Sequence, residues 1–175
     1  NANNKYTEAV SVAAEACAKD TKGQTCYICT QALHWKTKEG LVRGCSCRGT
    51  AGFAHVSCLA EQAKILMEEA EENNLDDKAF FERYARWYAC SLCEQDYYGV
   101  VSCALGWACW KTYVGRPEAD RCRLAAISVL GNGMSAAEDK PNPSIVIASR
   151  RSRSASSRPT YVFQHAHPSA HATTP

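Results

Sequence analysis

Seven cysteines and one histidine fall into four short-spaced pairs: Cys26 with Cys29, Cys45 with Cys47, His55 with Cys58, and Cys90 with Cys93. Two residues separate the members of each pair except the second, which has one. Thiolate and imidazole are soft ligands, and so short a gap lets two of them on one tight turn face a single metal ion. A tetrahedral zinc site takes four such ligands, so four pairs imply two zinc ions. One isolated Cys-x-x-Cys would mean little, but four ordered pairs with an interior His form a specific pattern. Ordinary reduced or disulfide-bonded cysteines would leave that repeated spacing unexplained. Of the 11 cysteines in the chain, Cys17, Cys103, Cys109 and Cys122 stand at no ligand spacing and are expected to be small buried hydrophobes. With eight positions filled, His34 is expected to be a loop residue rather than a ligand.

The elements that must position these ligands are unevenly patterned. Thr7 to Lys19 is an Ala-rich stretch with a poor apolar stripe, expected to form a short, loosely packed helix. From Lys22 to Ala54, glycines punctuate the cysteines, and Leu33, Trp35, Leu41 and Val42 are the few apolar contacts for loops and strand fragments. A helix is predicted from His55 to Asn73, with Val56, Leu59, Ala63, Leu66, Met67 and Ala70 on one face. Asp76 or Asp77 can cap a second helix carrying Phe80, Phe81, Tyr84, Trp87 and Tyr88, which delivers Cys90 at its end. Tyr98 to Tyr113 reads as a compact apolar helix, and Pro117 suits the first turn of another running to about Ala137. Their short link predicts an antiparallel hairpin. From Pro141 onward Pro, Ser, Arg, Thr and His dominate without apolar period, so 141–175 is expected to be disordered.

At 175 residues the chain has room for one modest domain with extensions, a size at which metal is a useful staple. No basic segment followed by an apolar run opens it, and the first residue is Asn1 rather than Met, as expected of a fragment or a gene product lacking its start. The longest apolar run, Val100 to Trp110, falls short of the roughly 20 residues of a membrane span. Metal-bound rather than disulfide-bonded cysteines imply a reducing, intracellular compartment, cytoplasm or nucleus. The formal net charge of +2 conceals an asymmetry, because every acidic residue lies at or before Asp139 while Arg150, Arg151, Arg153 and Arg158 follow it. The core therefore presents no basic face for nucleic acid, and four tail arginines without interleaved aromatics make a poor one.

The ligand order of four Cys, one His and three Cys, with a single residue inside the second pair and seven before the His, resembles the RING-CH (RING-variant) finger of membrane-associated RING-CH ubiquitin ligases. The resemblance implies interleaving: Cys26, Cys29, His55 and Cys58 would hold one zinc, and Cys45, Cys47, Cys90 and Cys93 the other. Each ion would then contribute about 10 to 16 kcal/mol toward folding in place of an oily interior. The implied fold class is a small α+β zinc-stabilised cross-brace finger followed by an α-helical hairpin and a disordered tail. Its expected borders are a helical extension over 1–21, the finger with a helical insert over 22–98, the hairpin over 99–140 and the tail over 141–175. The segments Glu94 to Val101, Ala104 to Tyr113 and Gly115 to Glu118 further resemble RING-CH proteins of microalgae that continue into tetratricopeptide repeats. Ile127-x-x-Leu130-Gly131-x-x-Met134 matches the first helix of such a repeat, in which large residues flank a small Gly. The tail past Lys140 fits neither part and would be explained by a shifted reading frame.

Family members act as ubiquitin ligases by docking a charged ubiquitin-conjugating enzyme and holding its thioester in a reactive pose, so no catalytic side chain is expected. The resemblance places Ile28, inside the first pair, in the docking groove. A Trp common after the His-x-x-Cys is replaced here by Ala60, Glu61 and Gln62, and a frequent cation after the last Cys by Glu94. The insert between Cys58 and Cys90 is long, and Trp87, Phe81 or Leu59 could stand in for the missing Trp, with Trp87 also explicable as core. The expected partners are thus a conjugating enzyme and a substrate protein. The alternatives are a non-enzymatic zinc-finger scaffold and a PHD-like histone reader; the latter has the same ligand order but a wider second pair and a Trp two residues before the last pair, where this chain has Trp87 three before Cys90.

Overall fold

The computed structural model describes residues 1–138, which form five α-helices joined by loops. In chain order they are α1 (Ala2–Cys17), α2 (Val56–Glu72), α3 (Asp77–Tyr84), α4 (Gly99–Tyr113) and α5 (Arg121–Glu138), with a 3-10 turn at Ala85–Trp87. Among the described residues, β structure is confined to two isolated antiparallel bridges, Val42 with Ala54 and Ala89 with Asp96. The expected α+β finger is therefore helical with few strands. Its loops are too short and too rich in cysteine and glycine to extend a ladder. The tail expected to be disordered, 141–175, lies outside the described residues.

Two apolar cores run through the molecule, and α2 belongs to both. In the first, Leu41, Val42, Phe53 and Ala54 from the loops meet Val56 and Leu59 of α2, Val10 and Ala13 of α1, and Val101, Ala104 and Leu105 of α4. The second joins Ala63, Met67 and Ala70 of α2 to Phe80 and Tyr84 of α3, to Trp87 of the 3-10 turn, to Cys109 and Tyr113 of α4, and to Cys122, Ala126 and Val129 of α5. The N-terminal helix is thus an integral wall of the finger rather than a loose extension. It begins at Ala2, well before Thr7, because Asn1 caps it through Asn3 N–H at 3.0 Å. This packing crosses the borders expected at residues 21 and 99. Leu33 and Trp35, expected as internal contacts, lie in solvent, with Trp35 68 % exposed.

The insert between Cys58 and Cys90 is a helical excursion that returns to its start. Asp76 caps α3 by accepting from Ala79 N–H at 2.8 Å, and α3 packs back along α2. Arg116, in the turn after α4, makes a two-pronged ion pair with Glu71 near the end of α2 and lies 4.9 Å from the centre of the Tyr113 ring. Pro117 lies before α5 rather than in its first turn. Asp120 caps that helix, accepting from the N–H groups of Cys122 at 2.9 Å and Arg123 at 3.0 Å.

The α4–α5 contact is close enough to depend on glycine. A Cβ at Gly106 would stand 2.9 Å from the Leu130 Cα, and one at Gly133 would stand 2.6 Å from the Ser102 carbonyl oxygen. Gly131, the small residue of the repeat-like pattern, has open space beside it, and Ile127 and Met134 are exposed. The buried stripe of α5 is Cys122, Ala126, Val129 and Gly133 instead. The two glycines should therefore respond in opposite senses. Gly133→Ala is expected to cost about 1 to 3 kcal/mol by overpacking. Gly131→Ala should gain up to about 1 kcal/mol from helix propensity. Denaturant titration of the zinc-loaded protein measures both, and equal effects would contradict this packing.

Candidate metal centre

The eight predicted ligands gather into two groups, Cys26, Cys29, His55 and Cys58 in one, and Cys45, Cys47, Cys90 and Cys93 in the other. Within each group the ligand atoms all lie within 4.8 Å of one another. The first pair thus joins the third and the second joins the fourth, as the resemblance implied. His34 joins neither group. It is nonetheless buried, its ring edge-on to that of His55 with centroids 5.3 Å apart.

Local backbone explains why each pair points inward. In the first knuckle Cys26 N–H donates to Gln31 O, Thr30 N–H donates to Cys26 O, and Thr30 is left-handed at φ 63°. The last knuckle repeats this, with Cys90 N–H to Gln95 O, Glu94 N–H to Cys90 O, and Glu94 at φ 56°. In both, the N–H two residues on, of Ile28 or Leu92, donates to the first sulfur at 3.4 Å. The tips of the two knuckles are tied by Tyr27 and Ser91, whose hydroxyl oxygens are 3.1 Å apart. Cys45 and Cys47 ride the loop after Val42, whereas His55 and Cys58 flank the start of α2.

The spacings fit tetrahedral zinc. With zinc–sulfur bonds of about 2.3 Å and zinc–nitrogen bonds of about 2.0 Å, ligand sulfurs should stand about 3.8 Å apart and sulfur and nitrogen about 3.5 Å apart. His55 Nδ1 is 3.4 Å from Cys29 Sγ and 3.6 Å from Cys58 Sγ, and Cys47 Sγ is 3.8 Å from Cys90 Sγ. These are far longer than the roughly 2.05 Å of a disulfide, and all 11 cysteines are free thiols. His55 Nε2 faces the Ala32 carbonyl oxygen at 3.4 Å, a partner of the kind that fixes the tautomer and leaves Nδ1 for a metal. Both groups could therefore hold a zinc ion, two in all.

Crowding also sets the protonation of the metal-free sulfurs. Burial pushes the Cys47 thiol up to about 11, and Cys45 and Cys58 are raised further, also chiefly by burial. Burial raises Cys26 and Cys93 too, but the hydrogen bonds that each accepts together outweigh it and hold both below the usual thiol range. Burial lowers His55, favouring the neutral imidazole that a metal needs.

The RING-variant domain family model matches residues 26–79. The chain carries a RING-variant domain. The match stops short of Cys90 and Cys93, which the α2–α3 excursion separates from the other ligands in sequence while returning them in space to Cys45 and Cys47. RING-variant domains bind zinc and generally belong to ubiquitin ligases. No curated protein and no solved structure matches the chain. A continuation into tetratricopeptide repeats is not part of the match.

The residues expected to meet a partner divide sharply. Ile28 is 36 % exposed at the first knuckle. Trp87 has no exposed surface and packs edge-on against Tyr113 with ring centroids 5.7 Å apart, so it belongs to the second core and offers nothing to a docking protein. Leu59 is buried as well, whereas Phe81 is exposed. Leu92, 52 % exposed, occupies in the last knuckle the place of Ile28 in the first. The repeat of Cys-x-apolar-Cys was the available signal for it.

Gly52 is the residue on which the second group leans most directly. At φ 82° it takes a conformation that other residues adopt at a cost, and a Cβ there would stand 2.6 Å from the Cys47 Cβ and 3.1 Å from the Cys45 Sγ. Gly52→Ala should weaken metal binding at the Cys45 group by about 5- to 100-fold, the equivalent of a typical overpacking cost. Chelator competition followed site by site would measure this, and unchanged release would contradict the packing. Binding should also tighten as pH rises, about tenfold per pH unit for each proton displaced, because raised thiols such as Cys47 keep their protons at neutral pH until metal displaces them.

Proposed function

We propose that the chain is a zinc-dependent ubiquitin ligase module, with Cys26, Cys29, His55 and Cys58 ligating one ion and Cys45, Cys47, Cys90 and Cys93 the other in a cross-braced finger. The observation that carries this proposal is the interleaved pairing of the two groups, six of whose eight residues lie in the segment that the RING-variant model matches. Such a finger works by orientation. It binds a ubiquitin-conjugating enzyme and restricts the ubiquitin thioester to reactive poses, while the attacking amine comes from the substrate protein.

Ile28 would be the apolar anchor for the conjugating enzyme, with the exposed Leu92 of the last knuckle, tied to the first through Tyr27 and Ser91, as a second apolar contact. Exposed apolar side chains on a rigid, metal-pinned turn lose little entropy on docking, which favours their use as contacts. The α4–α5 hairpin would serve the finger as a supporting wall, and helices beyond the knuckles would choose the substrate. A reducing interior compartment would keep such thiols available to zinc.

The second reading, a scaffold whose finger only folds and binds, is favoured by one observation. The burial of Trp87 removes one of the two aromatic or apolar anchors expected for the conjugating enzyme. Autoubiquitination with a panel of conjugating enzymes separates the two. A ligase should build chains that need zinc, and Ile28→Ala should reduce them about tenfold or more, as for a hot-spot contact, without loss of metal. An absence of chains across the panel, with zinc bound, would leave the scaffold.

A further inference from the structure

The start of helix α2 carries two residues of the first group, His55 just before it and Cys58 in its first turn, yet its N-terminus lacks the usual side-chain cap. His55 occupies the capping position and makes no capping hydrogen bond. Its ring is committed elsewhere, with Nδ1 toward Cys29 and Cys58 and Nε2 toward the Ala32 carbonyl. A helix start left with open N–H groups frays, and here fraying would move His55 and Cys58 together. The missing acceptor comes from a loop that is distant in sequence. Glu39 Oε1 accepts from Ser57 N–H at 2.7 Å, and Glu39 Oε2 accepts from the Ser57 hydroxyl at 2.8 Å. Because that hydroxyl proton goes to Glu39, the Tyr6 hydroxyl donates to Ser57 Oγ, at 3.0 Å, and brings α1 into the same chain of bonds.

The loop carrying Glu39 is itself closed. His34 N–H donates to Glu39 O at 3.0 Å, and Lys38 N–H donates to His34 O at 2.9 Å, with Lys38 left-handed at φ 59°. Thr37 N–H donates to His34 Nδ1 at 3.1 Å, so that nitrogen is an acceptor, and the Thr37 hydroxyl donates to it at 2.8 Å. One six-residue turn, His34 to Glu39, therefore places a carboxylate on the start of α2 and an imidazole edge against the ligand ring of His55. The carboxylate also sits favourably at the positive end of the helix.

We propose that Glu39 is a positioning residue for the first zinc site, capping α2 in place of His55 so that His55 and Cys58 are held for the metal. This rests on the two-zinc reading above and adds to it a residue that touches no metal. The second group has no ligand on α2, so the effect should be selective.

The full chain loaded with cobalt(II) separates the sites, because the absorption bands of a four-thiolate site differ from those of a three-thiolate, one-imidazole site. Glu39→Ala should speed metal release to a chelator from the mixed site by about 10-fold or more while the four-thiolate site keeps its parental rate. Glu39→Gln retains an acceptor for Ser57 N–H but loses the charge and the acceptor for the Ser57 hydroxyl, which can instead accept from the new amide and donate to Tyr6, so it should stay within about 5-fold of the parent. Parental rates at both sites in Glu39→Ala, or equal loss from both, would overturn the proposal while leaving the two-zinc reading intact. A parent chain that takes up no metal at either site would instead remove the reading beneath it.

Discussion

Everything in this molecule answers to one constraint: ligand pairs that are neighbours in sequence serve different metal groups. Cys26 and Cys29 must meet a pair 26 residues on at His55, and the intervening Cys45 and Cys47 must meet Cys90 and Cys93 instead. Each group therefore draws on two segments that are separated in sequence by a segment of the other group. The backbone ties between these segments are few and specific. Tyr27 N–H donates to Phe53 O, Val42 and Ala54 exchange two backbone bonds, and Tyr98 N–H donates to Gly44 O.

Loops of this kind bury little apolar surface by themselves, and the helices make up the deficit. Helices α1 and α4 bring Val10, Ala13, Val101, Ala104 and Leu105 against the loop residues, so the finger has a shared oily core as well as its metal groups. The α2–α3 excursion is held in the second core with α4 and α5, where it can be long without disturbing the ligands at its two ends. Helix α2 is the hinge between the two halves. Its start carries His55 and Cys58, and its far end is pinned by Glu71 to Arg116. A carboxylate that keeps its charge there is consistent with the Arg116 guanidinium holding Glu71 below the usual carboxylate range. The two metal groups thus lie among the loops, and the helices support them.

The ligands were the most legible part of the chain, because soft-metal coordination leaves a fixed spacing that no packing preference imitates. Helices α2 to α5 were legible from periodicity and α3 from its Asp76 cap, whereas α5 starts behind Asp120 rather than at Pro117. The losses came where a residue's role depended on a neighbour far away in sequence. The weak stripe of α1 disguised Val10 and Ala13, which are buried where α4 and the loops pack against them. Trp87 has the composition of an anchor, and only the return of the excursion against Tyr113 makes it core. Gly131 fits a repeat pattern, but the close approach of α4 selects Gly133 one face away. Glu39 carried no motif at all, since capping a helix from 18 residues upstream leaves no local signature.

The coordination itself is the decisive quantity, and X-ray absorption at the zinc edge of the purified full chain reads it directly. Two interleaved groups require two zincs per chain sharing seven sulfurs and one nitrogen. Sulfur should then lie at about 2.3 Å from the metal and nitrogen at about 2.0 Å. Zinc held by oxygen ligands, no zinc at all, or sulfurs bonded to each other at about 2.05 Å would contradict it.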